Sequence, residues 1–247
     1  MQETSASATA KCADCPIRHR AVCSKCEPDE LAVLERMKAY RTYAPGEVIV
    51  WAETRITHLG SIVTGVASIN RTMEDGRFQL VGLLLPSDFI GRPGRETVIY
   101  DIVAVTEVTV CQFGKPEFEK LLATSPAVGS RLLELTLDEL DAAREWMLLL
   151  GRKTAREKVS TFIAMVARRT MAGRDGTPGN GMTVVLPLTR TSMADFLGLT
   201  VETASRQISW LKREGIIELR GPQEVYIPDL VTFLSQTGDD ADGGLPA

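Results

Sequence analysis

Apolar residues recur along this chain in three rhythms. Between residues 40 and 113 they come in short runs: Glu47–Trp51, Leu59–Val63, Val66–Thr72, Phe78–Leu85, Val98–Val105 and Thr109–Phe113. Pro45-Gly46, Asp75-Gly76 and Pro93-Gly94 punctuate them. Short β-rich runs with regular turn signals predict a small β barrel or roll. Short helices are expected on either side, one opening at Glu27-Pro28 with Leu31, Leu34 and Met37 on one side, the other over Lys115–Ala123. From Pro126 to Leu150 the rhythm becomes that of one long helix. Ser125 can cap it, Pro126 suits its first turn, and Gly151 can loosen its far end. Leu140, Ala143, Met147 and Leu150 step by three, four and three, an a/d seam flanked by charges. About two dozen residues make a helix of roughly 35 Å, longer than one small core needs. Lying between segments of different character, it favours an axis along which two copies of the chain pair.

The third rhythm follows Gly151. Thr154–Thr170 is helical by period, with Val159, Phe162, Ile163 and Val166 on one face. Residues 173–181 read as a loop and Val184–Leu188 as a strand. Thr191–Leu197, Gly198 and Thr200–Glu214 then make a helix–turn–helix pattern, in which Ala194, Leu197, Leu199, Ala204, Ile208 and Leu211 supply the contacts between the two helices. Ile216–Leu219, a turn at Gly221-Pro222 and Val225–Ile227 predict a β hairpin, or wing. On the second helix Val201, Glu202, Ser205 and Arg206 share one face near the N-terminal end. A recognition helix offers that end to the major groove. Arg suits guanine O6/N7, Glu suits cytosine N4, Ser suits several base edges, and a valine methyl suits thymine. Ser192, Ser209, Lys212 and Arg213 could hold phosphates. An ordinary i,i+4 surface pair would also account for Glu202 and Arg206, but not for the turn and wing around them.

Charge sharpens this division. The net charge is −4, yet residues 151–221 carry 12 Lys/Arg against 6 Asp/Glu, whereas residues 1–150 carry 16 against 21 and residues 222–247 none against 5. The basic segment is the one that could meet a polyanion. The longest apolar runs are far too short to span a bilayer. The N-terminus is polar, with neither a basic start nor an apolar core, so no signal peptide is expected and the chain reads as cytoplasmic, without a membrane partner. Residues 1–11 and the acidic, Gly-rich stretch from Gly238 read as disordered.

Four of the five cysteines fall in Cys12-x2-Cys15-x7-Cys23-x2-Cys26. In a reducing compartment such clustering argues for metal or redox chemistry over disulfides. The spacing alone permits a four-cysteine zinc site, a share in an iron–sulfur cluster, or free thiols. Cys111, alone on a strand, reads first as a buried structural cysteine.

The run Met193-Ala-Asp-Phe-Leu-Gly-Leu-Thr-Val-Glu-Thr-Ala-Ser-Arg206 resembles the winged helix–turn–helix of the CRP/FNR transcription regulators. The Glu202-x-x-Ser205-Arg206 spacing is similar to that of the FNR branch. The likeness runs from the cysteine cluster to about Leu234. It implies an α+β fold: an N-terminal β-roll, a jelly roll of the cyclic-nucleotide-binding kind, then a long dimerisation helix and a C-terminal winged helix–turn–helix. The boundaries expected are 1–27 for the disordered N-terminus and cysteine loop, 28–124 for the roll, 125–151 for the helix, 152–236 for the DNA-binding domain and 237–247 for a flexible tail. The resemblance implies a homodimer that binds double-stranded DNA at TTGAT-N4-ATCAA sites and acts on RNA polymerase. Glu202 and Arg206 would face the central G·C pair, with Val201 and Ser205 near the thymines. It also implies a 4Fe–4S cluster on Cys12, Cys15, Cys23 and Cys111, with Cys26 as the alternative third ligand, and a response to oxygen.

The sequence departs from the family pattern in two places. Seven residues separate the second and third cysteines where five are usual, and Ala143 stands where an aspartate is expected on the dimer face. Without that like-charge pair, a tighter metal-free dimer is expected. A roll of this kind could take a cyclic nucleotide instead. Phe89-Ile-Gly91-Arg92 resembles part of the phosphate-binding stretch, but Arg95-Glu-Thr lacks the rest. His19 and His58 leave haem open. Cys12-x-x-Cys15 without a βαβ context does not support a thiol oxidoreductase, and no enzyme activity is expected.

Overall fold

The computed structural model describes residues 11–172 and 179–239. The disorder expected at residues 1–10, most of the 173–181 loop and the stretch from residue 240 lie outside the described residues. The chain divides into two compact units, 1–137 and 138–247.

The first unit opens with a 3-10 turn, Cys12–Asp14, and further turns to Cys26. Helix α1 (Pro28–Met37) starts with a capping box, in which Glu27 and Glu30 satisfy each other's backbone N–H groups. Eight strands follow: β1 (Lys38–Tyr43), β2 (Val48–Val50), β3 (His58–Thr64), β4 (Ala67–Thr72), β5 (Phe78–Leu84), β6 (Phe89–Ile90), β7 (Asp101–Ala104) and β8 (Val108–Gly114). They form two four-stranded antiparallel sheets, ordered β1-β8-β3-β6 and β2-β7-β4-β5. Tyr43, Ile62, Leu84, Ile90, Ile102, Val108 and Val110 pack together as the roll's interior.

The outer face of the first sheet is apolar too, because successive side chains alternate across the pleat. Leu59, Val63, Cys111 and Phe113 face outward and pack with Leu34 of α1, with Phe118 and Leu121 of α2 (Lys115–Thr124), and with Ile17, Ala21 and Val22 of the cysteine loop. Phe118 is fully buried, with ring centroids 5.4 Å from Phe89 and 5.5 Å from Phe113.

Helix α3 (Pro126–Arg152) starts as expected, with Ser125 Oγ accepting from Val128 N–H at 3.2 Å. It runs through Gly151 rather than stopping before it. Val128, near its start, is buried in the first unit. Its last turns belong to the second unit, where Leu149 is buried and the Trp146 ring stacks on Phe196, 3.9 Å between centroids.

The second unit continues with α4 (Ala155–Ala172), β9 (Met182–Val185), α5 (Arg190–Leu197), α6 (Val201–Arg213), β10 (Glu218–Leu219), β11 (Glu224–Ile227) and the short α7 (Leu230–Leu234). The strands form a sheet ordered β10-β11-β9. Val159, Phe162, Ile163 and Val166 of α4 are all buried, as their period required.

Three expectations are corrected. The strand placed at Val184–Leu188 is Met182–Val185, because Pro187 has no N–H for a ladder and constrains Leu186 before it. β1 has no counterpart among the expected strands, because Lys-Ala-Tyr-Arg-Thr-Tyr shows no apolar alternation. The tail does not become loose at Gly238. Thr237 is buried and the Asp239 carboxylate pairs with Lys153, whose largely sequestered side chain needs a counter-charge. Among the described residues no helix is long and apolar enough to cross a membrane.

Phe118→Ala is expected to destabilise the protein by about 3–5 kcal/mol, the usual cost of emptying a fully buried aromatic site. Chemical denaturation followed by circular dichroism measures it.

Candidate metal centre and nucleic-acid interface

The cysteine loop is a run of tight turns fastened to the roll by its own apolar side chains. Cys15 N–H bonds the Cys12 carbonyl at 3.4 Å, Ala21 N–H the Ile17 carbonyl at 2.9 Å, and Cys26 N–H the Cys23 carbonyl at 3.1 Å. Arg18 staples the loop to itself, donating to the Cys23 carbonyl at 2.6 Å and the Cys26 carbonyl at 3.2 Å. Buried Ile17, Ala21 and Val22 hold it against the sheet.

Cys111 comes to the loop from β8, the strand between β1 and β3. The register sets Tyr40 of β1 and Ser61 of β3 directly across from it, one on each side. Gly60 makes the close approach possible: a Cβ there would lie inside contact distance of the Cys111 carbonyl and 3.0 Å from Val110 Cγ1. One cavity of about 20 Å3 lies between loop and sheet, and Cys12, Cys15, Cys23, Cys111, Tyr40 and Ser61 line it. Cys26 does not line it but packs into the apolar cluster beneath the loop. All five cysteines are free.

The thiols are buried, and this governs their acid–base chemistry. Burial pushes the Cys23 thiol up to about 11, against the pull of Arg18. It pushes Cys26 and Cys111 each up to about 12. Cys12 is raised by burial and partly relieved by Lys38. These groups are neutral thiols in the metal-free protein, and a metal must displace their protons to bind them. Among the described residues no three His, Cys, Asp or Glu side chains converge to hold one metal ion.

The loop is also bonded to the first half of α3. Arg131 donates to the Arg20 carbonyl at 2.6 Å, Lys25 pairs with Glu134, and Arg131 pairs with Glu134 at 3.0 Å. Sequence reading missed this triad, since only the fold brings these positions together. Further along, the α3 seam is open to solvent: Leu140, Ala143, Met147 and Leu150 are all exposed. Leu133 and Leu137, also exposed, extend it, and Leu133, Leu140 and Met147 fall seven residues apart. The seam expected over Leu140–Leu150 thus reaches back to Leu133.

In the second unit Thr189 caps α5 by accepting from Ser192 N–H at 3.1 Å, and Thr200 caps α6 by accepting from Thr203 N–H at 3.2 Å. Gly198 makes the turn between the two helices with φ +62°. Ala204, Ile208 and Leu211 bury one face of α6. On the other side Val201, Glu202 and Arg206 are exposed and Ser205 is half-buried. No ion pair joins Glu202 to Arg206 among the described residues, so both can reach outward. Ser209, Lys212 and Arg213 are exposed, Arg213 being paired with Glu214 at 3.1 Å. Ser192 is half-buried, its hydroxyl 3.1 Å from that of Thr189. The wing adds Arg220, which sequence reading missed. Its guanidinium stacks over Tyr226 at 3.5 Å, the signal being an arginine just past one strand of the wing and a tyrosine on its partner strand.

Comparison with known proteins gives this geometry a family. Residues 40–125 match the cyclic nucleotide-binding domain and residues 154–232 the Crp-like helix-turn-helix domain. The chain is 56% identical to the transcriptional activator protein FnrL of Cereibacter sphaeroides, over 96% of this chain and 95% of that protein. It belongs to the CRP/FNR family of transcription regulators. It is also 39% identical to the nitrogen fixation regulation protein FixK of Bradyrhizobium diazoefficiens, over 84% of this chain and 86% of that one. The solved structure of FixK2 from Bradyrhizobium japonicum superposes with a TM-score of 0.71 at 29% identity, covering 81% of this chain and 96% of that one. As a CRP/FNR protein the chain is a DNA-binding transcriptional activator and not an enzyme. Its roll interior is filled with apolar side chains, and Arg92 and Arg95, the arginines nearest the phosphate-binding stretch of a cyclic-nucleotide site, lie exposed. His19 and His58 are exposed as well.

Lys25 and then Arg131 hold the Glu134 carboxyl below the ordinary glutamate value. The contact is therefore present at neutral pH and is lost as pH falls through the lowered folded-state value. Carbon-13 NMR titration is expected to show the lowered value and its upward return in Lys25→Ala.

Proposed function

We propose that this regulator responds to oxygen through a 4Fe–4S cluster held by Cys12, Cys15, Cys23 and Cys111, and that the loaded chain acts as a homodimer on TTGAT-N4-ATCAA sites. The observation that carries the reading is that these four thiols, three from the loop and one from the roll, line one cavity, which Cys26 does not. A lone zinc would ask for sulfurs about 3.8 Å apart around bonds of about 2.3 Å. Three thiols from one loop and a fourth from a strand of the roll are instead a donor set that an iron–sulfur cluster takes. When bound, such a cluster supplies an oxygen-labile tie between the loop and β8.

The chain's own residues would carry the signal onward. With the loop held against the sheet, its Arg20 carbonyl and Lys25 ammonium hold Arg131 and Glu134, and with them the first half of α3. The exposed seam from Leu133 to Leu150 is the surface a second copy covers. Pairing is needed because one recognition helix reads only about five base pairs, too few to specify a site in a genome. Release of the loop shifts the equilibrium toward monomers that bind DNA weakly, and a coupling of about 1–3 kcal/mol changes occupancy roughly 5–150-fold. Ala143 adds no like charge to the seam, so the metal-free dimer is tighter here than where an aspartate stands. RNA polymerase is the partner that the DNA-bound dimer recruits, in the cytoplasm.

Anaerobic purification followed by a visible spectrum tests the ligand set. The wild type and Cys26→Ser are expected to show broad absorbance near about 420 nm that bleaches in air, and Cys23→Ser to lack it. A colourless, zinc-containing wild type that binds DNA equally in air would remove the oxygen switch and leave the regulator. Binding to labelled duplexes tests the readout. Arg206→Ala is expected to cost about 1–3 kcal/mol and relax specificity at one base pair, whereas Lys212→Ala weakens all sequences alike.

A further inference from the structure

The outer face of the roll holds more at the cysteine cavity than a thiol. Ser61 is 2% exposed and lines the cavity, and among the described residues its Oγ has no hydrogen-bond partner. A buried, unpaired hydroxyl is costly, and native folds keep one where another group completes it. Tyr40 also lines the cavity, beside Cys15. Lys38 lies two residues before Tyr40 and so on the same face of β1. Its side chain is 9% exposed, and its Nζ lies 3.4 Å from Cys12 Sγ and 4.0 Å from Glu35 Oε1.

These three residues share one chemistry. An ammonium offers three N–H donors and each hydroxyl offers one, while thiolate and sulfide sulfurs only accept. The register fixes where they stand: Tyr40 and Ser61 flank Cys111 across the ladder, and Lys38 reaches Cys12 from beside Tyr40. A buried lysine against a ligand cysteine also offsets the negative charge that four thiolates bring into a buried site.

We propose that Lys38, Tyr40 and Ser61 form a row of donors to the sulfurs of the iron–sulfur group on Cys12, Cys15, Cys23 and Cys111, and that this row sets how firmly the chain holds iron. The inference rests on the ligand set proposed above. The three are positioning residues, acting on the sulfurs and not on DNA. Groups behind a metal's own ligands typically change metal affinity 10–100-fold when removed.

The test is iron retention, read without DNA. The full chain and its Ser61→Ala, Tyr40→Phe, Lys38→Met and Lys38→Arg variants are reconstituted anaerobically with ferrous iron and sulfide, then challenged with a chelator while absorbance near about 420 nm is followed. Ser61→Ala, Tyr40→Phe and Lys38→Met are each expected to lose iron about tenfold faster than wild type or more, and Lys38→Arg, which keeps charge and donors, to stay near it. Metal-free Ser61→Ala is expected to melt at or above the wild-type temperature, because it removes a hydroxyl left unpaired in that state. Variants that keep iron as long as wild type would overturn the proposal. So would Ser61→Ala losing iron and metal-free stability together, which would make the hydroxyl a structural group. A wild type that takes up no iron would bring down the ligand set itself, a distinct outcome visible before any variant is compared.

Discussion

The pleat of β8 is the constraint on which the first unit depends. Along that strand Val108 and Val110 turn into the roll, while Cys111 and Phe113 turn out toward the loop and helices. A slip of one residue would reverse every side chain, burying a thiol among the valines and presenting a valine to the cysteine loop. Two neighbours hold the register, β1 on one side and β3 on the other. The same pairing that closes the roll therefore aligns Tyr40, Cys111 and Ser61 in one row. Core and candidate metal centre are two faces of a single sheet, and neither can be shifted independently of the other.

The second unit solves a different problem with local means. Its helix–turn–helix is specified by caps and a turn that act over a few residues: Thr189, Gly198 and Thr200 each satisfy or permit one backbone feature. The apolar faces of α4, α5 and α6 then pack together, with Phe162 set edge-on to Phe196 and Trp146 stacked on its face. What this leaves exposed is a face of α6 bearing a cation, an anion, a hydroxyl and a methyl at helical spacing.

This contrast explains how much could be read from the sequence. The helix–turn–helix, the wing and the long helix were legible because their signals are local and periodic, and the family resemblance rested on the same residues. The roll was legible as a class from its turn residues. β1 was not, because Lys38, Tyr40 and Arg41 mask its alternation, and a strand supported by pairing with β8 needs no apolar pattern of its own. Missing β1 meant missing Lys38 and Tyr40 as neighbours of the cysteines. Ser61 was passed over for a related reason: within Leu59–Val63 it reads as a gap in an apolar run, and only its register opposite Cys111 gives it a place. The Arg131–Glu134–Lys25 triad joins residues more than a hundred positions apart, a separation that no periodicity encodes.

The placement of the tryptophans has an optical consequence. Three occur in the chain: Trp51 on the roll, largely exposed, Trp146 stacked on Phe196, and Trp210 with the Arg156 guanidinium 4.0 Å from its ring. An indole packed against a ring emits to the blue of one in water, and one beneath a guanidinium feels a fixed positive charge. The protein thus carries intrinsic fluorophores in unlike surroundings. The two with defined ring partners both belong to the unit that reads DNA, so the colour of its emission distinguishes events there from events on the roll.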